Sequence, residues 1–402
     1  MKRRRVKITG IGPVTPAGIG REAFWRGILE PVSRVRPYTA LDPKFGPIIA
    51  AYLDAFDIRN YWDRTLVPKG AARHTLFAIA GAALALNDAG ISLEQLRAGS
   101  TAIVTGTCMM DFAGVADAEE SVRQRGDRAA SPRVIYTMGV SGVTIGVNQA
   151  LGLDARLMAV STQCSSGLDA IGHAAHLVAN GEVEFALCGG SEAPLSQFPL
   201  LELRAAELTP PTTEMAERMA RPFDLWRTTG VVGEGACMFV LEPEESPRKG
   251  YCEVGGYAFA NDRRGDLCGG MADAARLSLA EARIRLGEVD SIAAWGPGHK
   301  LVDAGEARAM ISLFGARLAE IPAASIKGAV GSPLGAAPAM QTAAAALGLS
   351  TGTIPPTANW SHPDPACPLN VSNQVRYVPH DFSLINSHGL GGVNSSLALR
   401  RC

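Results

Sequence analysis

Short apolar segments alternate with segments of helical periodicity along the whole chain. The predicted strands are 5–9, 101–105, 157–161, 185–188, 292–295, 323–326 and 383–386. The predicted helices are 71–89, 168–178, 306–318 and 334–347. Strands that alternate with helices predict an α/β fold with parallel sheets covered on both faces. Because the second part repeats the pattern of the first, we predict an N-terminal half at 1–245 and a C-terminal half at 246–402.

The charge balance and the apolar content exclude several classes of protein. Lys and Arg total 38 and Asp and Glu total 39, so the 402-residue chain lacks the basic excess of a nucleic-acid binder. With 47% hydrophobic residues, it can bury a large core. Prolines interrupt the longest uncharged run, 328–363, so no membrane span is predicted. The basic start, 1–5, lacks an apolar signal stretch and the eight cysteines are scattered, which favours a cytoplasmic protein with reduced thiols.

Cys164 lies where a predicted strand turns tightly into a helix. A helix N-terminus carries unpaired N–H groups and a partial positive charge, and both favour a thiolate. The small residues after it, Ser165, Ser166 and Gly167, would let a substrate reach the sulfur. The residues alone leave two alternatives open, a nucleophile and a buried structural cysteine.

Two other patterns resemble ligand sites but lack essential parts. Gly10-Ile11-Gly12 begins like a dinucleotide fingerprint, yet Thr15 replaces the third glycine and prolines interrupt the following helix. His173 and His176 have no carboxylate partner at ligand spacing, so we interpret them as ordinary helix-face residues. We therefore predict no cofactor and no metal.

Six ordered motifs give the chain a resemblance to a known family. They are the segments 6–18, 163–172, 189–193, 221–236, 354–367 and 386–394. Together they resemble the β-ketoacyl-ACP synthases of the elongating type, with Cys164 at the nucleophile position. The resemblance implies a thiolase-like αβαβα layered fold of two similar halves. It also implies acyl transfer to Cys164 from an acyl carrier protein with a phosphopantetheine-bound chain, and a homodimer or a heterodimer with another ketosynthase-like chain.

The two histidines with which this family stabilises the enolate during condensation are absent. The first belongs to a segment in which Asp303 and Glu306 align without a gap, and Trp295 occupies its position. The second follows a lysine, kept here as Lys327, and Ser332 stands in its place. Since one oxyanion donor is commonly worth about 10²–10³ in rate, losing both without replacement removes useful decarboxylative condensation.

Two other histidines are candidates to serve Cys164. His388 replaces the phenylalanine with which the family gates its cysteine, and it is either a base or ion-pair partner or a satisfied core residue. His299, four positions after Trp295, either points inward or is an ordinary loop residue. Ser332 can donate one hydrogen bond to an oxyanion, whereas an indole can donate but cannot act as a base.

The resemblance assigns the remaining site residues. Candidate catalytic residues are Cys164, His388, His299, Ser332 and Lys327. Lys327 is expected to support the acidic pair Asp303 and Glu306. Candidate substrate-binding residues are Trp295, Gly389, Gly391 and Ser165.

Three functions remain open at this stage. The first is a ketosynthase-like enzyme of fatty-acid or polyketide-type biosynthesis that accepts an acyl group on Cys164 and condenses or transfers it. The second is a non-catalytic partner like the chain-length factors, which the lost histidines favour and the retained cysteine disfavours. The third is a cysteine-dependent acyltransferase or cyclase that releases no CO₂.

Overall fold

A mixed twelve-stranded sheet organises the computed structural model, which describes residues 3–210 and 212–402. The strands of the first half are β1 Val6–Thr15, β2 Gly18–Ile19, β3 Val35–Pro37, β4 Ile49–Ala51, β5 Thr101–Gly106, β6 Arg156–Val160, β7 Phe185–Glu192 and β8 Gly235–Pro243. Those of the second half are β9 Cys252–Asn261, β10 Ser291–Ala293, β11 Pro322–Ala324, β12 Thr353–Ile354, β13 Asn370–Val371, β14 Arg376–Tyr377, β15 Phe382–Gly389 and β16 Val393–Arg401. Two small pairs, β3–β4 and β12–β14, lie outside the main sheet.

The helices form layers on either side of the strands and between them. They are α1 Arg21–Leu29, α2 Arg73–Ala89, α3 Leu93–Ala98, α4 Phe112–Arg125, α5 Val134–Thr137, α6 Ser141–Leu151, α7 Ser166–Ala179, α8 Gln197–Ala205, α9 Gly269–Ala282, α10 Lys300–Phe314, α11 Lys327–Val330 and α12 Ala337–Thr351. Helices α7 and α12 pack against each other and contact strands of both halves, while α2 covers β1 and β8 and α9 covers β9 and β16. The sequence-based expectation of five layers is confirmed.

The two halves have the same strand topology. The first half follows the order β1-β8-β7-β5-β6, and the second follows β9-β16-β15-β10-β11. In each half the first strand therefore pairs with the last, and the second and third strands lie at the outer side. Pairing of β1 with β9 joins the halves into one sheet. The first copy of this topology ends with β8 and the second begins with β9. The division into domains at 245/246 stays a prediction.

The prediction of parallel sheets is only partly correct. Strands β5, β6 and β7 are parallel to one another, as are β10, β11 and β15. However, β8 runs antiparallel to both β1 and β7, and β16 runs antiparallel to both β9 and β15. The segment after β15 is a three-residue turn without a crossover helix, so the next strand must reverse direction.

The first strand is longer than predicted because Gly10 is not a turn. Strand β1 continues through Gly10 and Gly12, where an added Cβ would lie 2.1 Å from Ala85 O and 1.9 Å from Gly81 O. These glycines let helix α2 approach the sheet closely.

Helix α10 begins at Lys300, six residues before its predicted start, and α12 begins at Ala337, three residues after its own predicted start.

Within the described residues, none of the helices is both long and apolar enough to cross a membrane.

Candidate active site

Cys164 lies in a tight turn between β6 and α7. Gln163, which precedes it, has a positive φ of 53°, a conformation that a residue with a side chain adopts only at a cost. The Ser166 hydroxyl closes the turn, since it donates to Gln163 O at 2.5 Å and accepts from Thr162 N at 2.9 Å. The turn therefore holds Cys164 in a fixed place at the start of the buried helix α7.

The surroundings of the Cys164 sulfur favour its thiolate. A hydrogen bond from the Cys108 thiol lowers the pKa of Cys164, and burial opposes this effect. The Leu390 backbone N–H also donates to the sulfur, and the charge of Lys327 acts in the same direction. A helix N-terminus adds a further partial positive charge. Cys164 thus has the electrostatic setting of a nucleophilic cysteine.

Cys108 is a member of the site that sequence reasoning missed. Its backbone N–H lies 2.9 Å and its sulfur 3.1 Å from Oε2 of Glu192, a fully buried carboxylate. The hydrogen bond to Cys164, followed by burial, raises the pKa of Cys108 well above its ordinary value. Cys108 therefore keeps its proton, which its thiol shares between Glu192 Oε2 and the Cys164 sulfur.

We expect Cys108→Ala to raise the pKa of Cys164, because the variant lacks the thiol that donates to the thiolate. Less Cys164 is then ionised at neutral pH, so its alkylation by iodoacetamide slows and the midpoint of the pH–rate curve moves to higher pH. Peptide mass spectrometry follows Cys164 specifically. Cys402→Ala, which removes an exposed thiol, is the matched control. An unchanged midpoint in Cys108→Ala would refute the assignment.

A cavity of about 300 Å³ opens beside Cys164. Most of its lining is apolar, including leucines and valines from several loops. The predicted site residues among its walls are Cys164, Trp295, His299, Ser332, His388 and Gly391. The structure thus brings together residues that are far apart in the sequence, in a space that suits an apolar chain with a few polar contacts.

His388 faces this cavity from the end of β15, but its ring is bonded to Asn394. The distance from His388 Nδ1 to Asn394 Oδ1 is 2.9 Å. Across the described chain, no hydrogen bond joins either cavity histidine to Cys164, and the role of His388 as a base or ion-pair partner stays a prediction. The side chain is only 7% exposed.

His299 caps the N-terminus of α10. Its Nδ1 accepts hydrogen bonds from the backbone N–H groups of Leu301 at 3.3 Å and Val302 at 3.4 Å. Burial lowers the pKa of His299, which favours the neutral ring. His299 thus orders the start of α10 and also lines the cavity, and its catalytic role stays a prediction.

The buried acids hold the loop that carries Trp295. Glu306 accepts from Trp295 N at 2.9 Å and from Gly296 N at 2.8 Å. Asp303 accepts from Gly298 N at 3.1 Å and, on its other oxygen, from Phe223 N at 2.8 Å. Burial raises the pKa of Glu306 and raises that of Asp303 to about 7. These hydrogen bonds tie both acids to the loop that forms part of the cavity wall.

Lys327 does not pair directly with those acids, which corrects one expectation. Its ammonium group donates to Trp295 O and, at 2.7 Å, to Gln341 Oε1, and it lies 3.7 Å from the centroid of the Trp295 ring. Burial lowers the pKa of Lys327 to about 7. Lys327 is 1% exposed and contacts Trp295 from behind, and its catalytic role stays a prediction.

Family models identify the protein class to which this site belongs. The model for "Beta-ketoacyl synthase, N-terminal domain" matches residues 3–246, and that for "Beta-ketoacyl synthase, C-terminal domain" matches residues 251–361. The chain belongs to the β-ketoacyl synthase family.

Relatives of this family match over almost the full length. A putative polyketide beta-ketoacyl synthase 1 of Streptomyces cyaneus is 35% identical, with 98% of each chain covered. The 3-oxoacyl-[acyl-carrier-protein] synthase 2 of Coxiella burnetii is 30% identical, over 100% of this chain and 99% of its own. Among solved structures, the ishigamide ketosynthase/chain length factor has a TM-score of 0.91 at 29% identity, with both chains fully covered. The α/β thiolase-like fold of ketosynthases is therefore confirmed.

Two residues at family histidine positions differ in their contacts. Glu306 and Lys327 contact the backbone of Trp295, Lys327 also lies over its ring, and the residue is 3% exposed. Ser332 accepts from Gly233 N at 3.0 Å and donates its own N–H to Val231 O at 2.7 Å, while its hydroxyl bonds to no described residue. Ser332 also lines the cavity beside Cys164.

The predicted substrate-binding role fits only some of the small residues. Gly391 lines the cavity with a φ of 85°, which favours glycine. Ser165 is fully buried with its hydroxyl 2.6 Å from that of Ser387, a contact that joins the Cys164 turn to β15, and its substrate-binding role stays a prediction. A Cβ on Gly389 would lie 3.2 Å from Cys164 N, so Gly389 permits close packing behind the nucleophile.

The paired histidines of α7 make contacts unrelated to the cavity. His176 Nε2 lies 3.1 Å from Glu281 Oε1, and the rings of His173 and His176 both pack against Tyr257. Over the ranges 3–210 and 212–402, no cluster of three or more metal-ligating side chains is found.

Proposed function

We propose that the chain is an acyl-accepting enzyme of polyketide or fatty-acid-type biosynthesis. The Cys164 thiolate attacks the thioester carbonyl of an acyl chain bound to an acyl carrier protein, the bond from that carbon to the phosphopantetheine sulfur breaks, and phosphopantetheine leaves as a thiolate that takes a proton from water. The observation that carries this proposal is the position of Cys164, which the tight turn before α7 fixes in the wall of the cavity. The apolar cavity beside it suits an acyl chain.

The carrier-protein donor is proposed from chemistry and from relatives. One similar structure, with a TM-score of 0.89 and 26% identity, is a type II polyketide acyl-carrier protein in complex with its ketosynthase. We infer the same kind of donor here, because a tethered thioester can enter a narrow cavity while its protein remains outside.

Loading of the purified chain tests this proposal directly. We expect incubation with octanoyl-ACP to add one octanoyl group, detected by intact-mass spectrometry and located on Cys164 by peptide mapping. The matched control is octanoyl-CoA at the same concentration, which presents the thioester without the carrier protein. No adduct on Cys164 from the carrier would refute the proposal.

A partner role is the second candidate, because both family histidine positions are changed. Strand β6 is the edge of the first half's sheet, and Leu157 on it is 40% exposed. Ile135 is 77% and Phe198 57% exposed on α5 and α8 of the same half. Exposed apolar side chains and an open sheet edge in this half suit a second ketosynthase-like chain, in a homodimer or a heterodimer.

The two candidates differ in their dependence on the thiol. If the chain is only a partner of an active ketosynthase, the two chains copurify and Cys164→Ala leaves product formation by the pair unchanged. If the chain is an acyl-accepting enzyme, the same variant stops the reaction. Product analysis of the reconstituted pair separates the two cases.

A further inference from the structure

The amide of Asn394 has a fixed orientation. Its Nδ2 lies 2.7 Å from Asp262 Oδ1, 3.1 Å from Gly392 O and 3.4 Å from Ala260 O, all of which accept hydrogen bonds. The opposite side of the amide, Oδ1, therefore faces His388 Nδ1 at 2.9 Å. An amide oxygen can only accept, so His388 Nδ1 carries the proton of this hydrogen bond.

In the neutral ring, the other nitrogen of His388 is consequently the atom that can accept a proton. With the proton on Nδ1, neutral imidazole has an unprotonated Nε2, and this atom makes no hydrogen bond to the described residues. His388 lines the cavity that also contains Cys164. A cysteine and a histidine oriented by an asparagine recur as a catalytic set on unrelated folds.

Asp262 fixes this arrangement from behind. Its carboxylate accepts from Cys268 N at 2.9 Å and Gly270 N at 3.0 Å, so it is anchored at the start of α9. Asp262 Oδ2 lies 3.9 Å from His388 Nδ1. The titratable and charged groups that face His388 are thus Asp262 behind the ring and Cys164 and His299 in the cavity.

The neutral ring of His299 is the opposite tautomer to that of His388. Because its Nδ1 accepts two backbone hydrogen bonds, its neutral ring carries the proton on Nε2 and is a donor. The cavity therefore combines one oriented base with donor groups. A carbanion formed by loss of CO₂ has no proton for a base to remove, whereas a hydroxyl or amine nucleophile has one.

We propose that the second substrate is a hydroxyl- or amine-bearing acceptor and that His388 Nε2 removes its proton. This inference rests on the proposed acylation of Cys164. The acceptor oxygen or nitrogen bonds to the acyl carbon, the bond from that carbon to the Cys164 sulfur breaks, and the proton passes through His388 to the departing thiolate. The products are an ester or amide and the free thiol, and neither CO₂ nor a redox partner takes part.

A two-stage experiment on the full chain tests the inference. The enzyme is first loaded from octanoyl-ACP, and the acyl-enzyme is then mixed with malonyl-ACP, with ethanolamine, with 1-butanol or with buffer alone. Intact-mass spectrometry follows loss of the acyl group, and product analysis and CO₂ release identify the reaction. We expect ethanolamine or 1-butanol to discharge the enzyme at least 10-fold faster than malonyl-ACP or buffer, with ester or amide formed and no CO₂.

Variants separate the base from the nucleophile. His388→Gln should still load, because the Cys164 thiolate is stabilised by other groups, but its discharge to the acceptor should slow by about 10²- to 10⁴-fold. Added imidazole should restore part of that rate, which mere misfolding would prevent. The matched control, His362→Gln, changes an exposed histidine outside the cavity and should behave as wild type.

The outcomes distinguish the two proposals. Loading without discharge by either small acceptor, or with a carbon–carbon product and CO₂ from malonyl-ACP, overturns the inference and leaves the proposed acylation intact. Discharge by His388→Gln at the wild-type rate also overturns the inference. Absence of loading overturns the proposed function and, with it, the inference.

Discussion

Cys164→Ala is expected to abolish formation of the acyl-enzyme. Alanine has no nucleophilic atom, and no other thiol among the described residues lines the cavity beside α7. Cys164→Ser should load far more slowly, since a hydroxyl at this position lacks the ionisation that its neighbours give the thiol. The measurement is the fraction of chain acylated by octanoyl-ACP over time, read by intact mass.

A matched cysteine variant makes this result specific. Cys402→Ala removes an exposed thiol at the end of the chain and should load at the wild-type rate. Thermal unfolding should remain close to wild type in both variants, because the change at Cys164 removes only one atom. An adduct that persists in Cys164→Ala would contradict the nucleophile assignment and point to another residue.

The turn that holds Cys164 follows from local sequence, which explains why its place between a strand and a helix could be predicted. Cys164 lies directly between an apolar strand and a helix, and the contacts that form the turn come from residues within a few positions. The layered fold was likewise predictable, because alternating strands and helices leave few ways to cover both faces of a sheet. The reversed strands β8 and β16 were not, since apolar runs do not encode strand direction.

The contacts that tune the nucleophile come from distant parts of the chain. Cys108 precedes Cys164 by more than fifty positions and has no motif that marks it, so only folding brings the two thiols together. The role of Asn394 was equally hidden, because it depends on three acceptors that surround its amide nitrogen. For Lys327, the resemblance predicted acidic partners, but its ammonium group donates hydrogen bonds to Trp295 and Gln341.

Glu306→Ala is expected to destabilise the fold strongly. The carboxylate is the acceptor for Trp295 N, Gly296 N and, at 3.2 Å, the amide of Asn386. The variant leaves these buried donors without a partner, and Lys327 loses the nearby negative charge. Since one orphaned buried donor costs about 1–3 kcal/mol, we expect the free energy of unfolding to fall by roughly 3–5 kcal/mol.

Urea unfolding monitored by tryptophan fluorescence measures this loss, and two variants calibrate it. Glu306→Gln keeps one carbonyl oxygen and should lose less stability than Glu306→Ala, because part of the hydrogen bonding to the loop survives. Glu320→Ala changes an exposed carboxylate and should stay within about 0.5 kcal/mol of wild type. If Glu306→Ala were as stable as Glu320→Ala, the buried acid would not hold the Trp295 loop, and the shape of the cavity wall would need another cause.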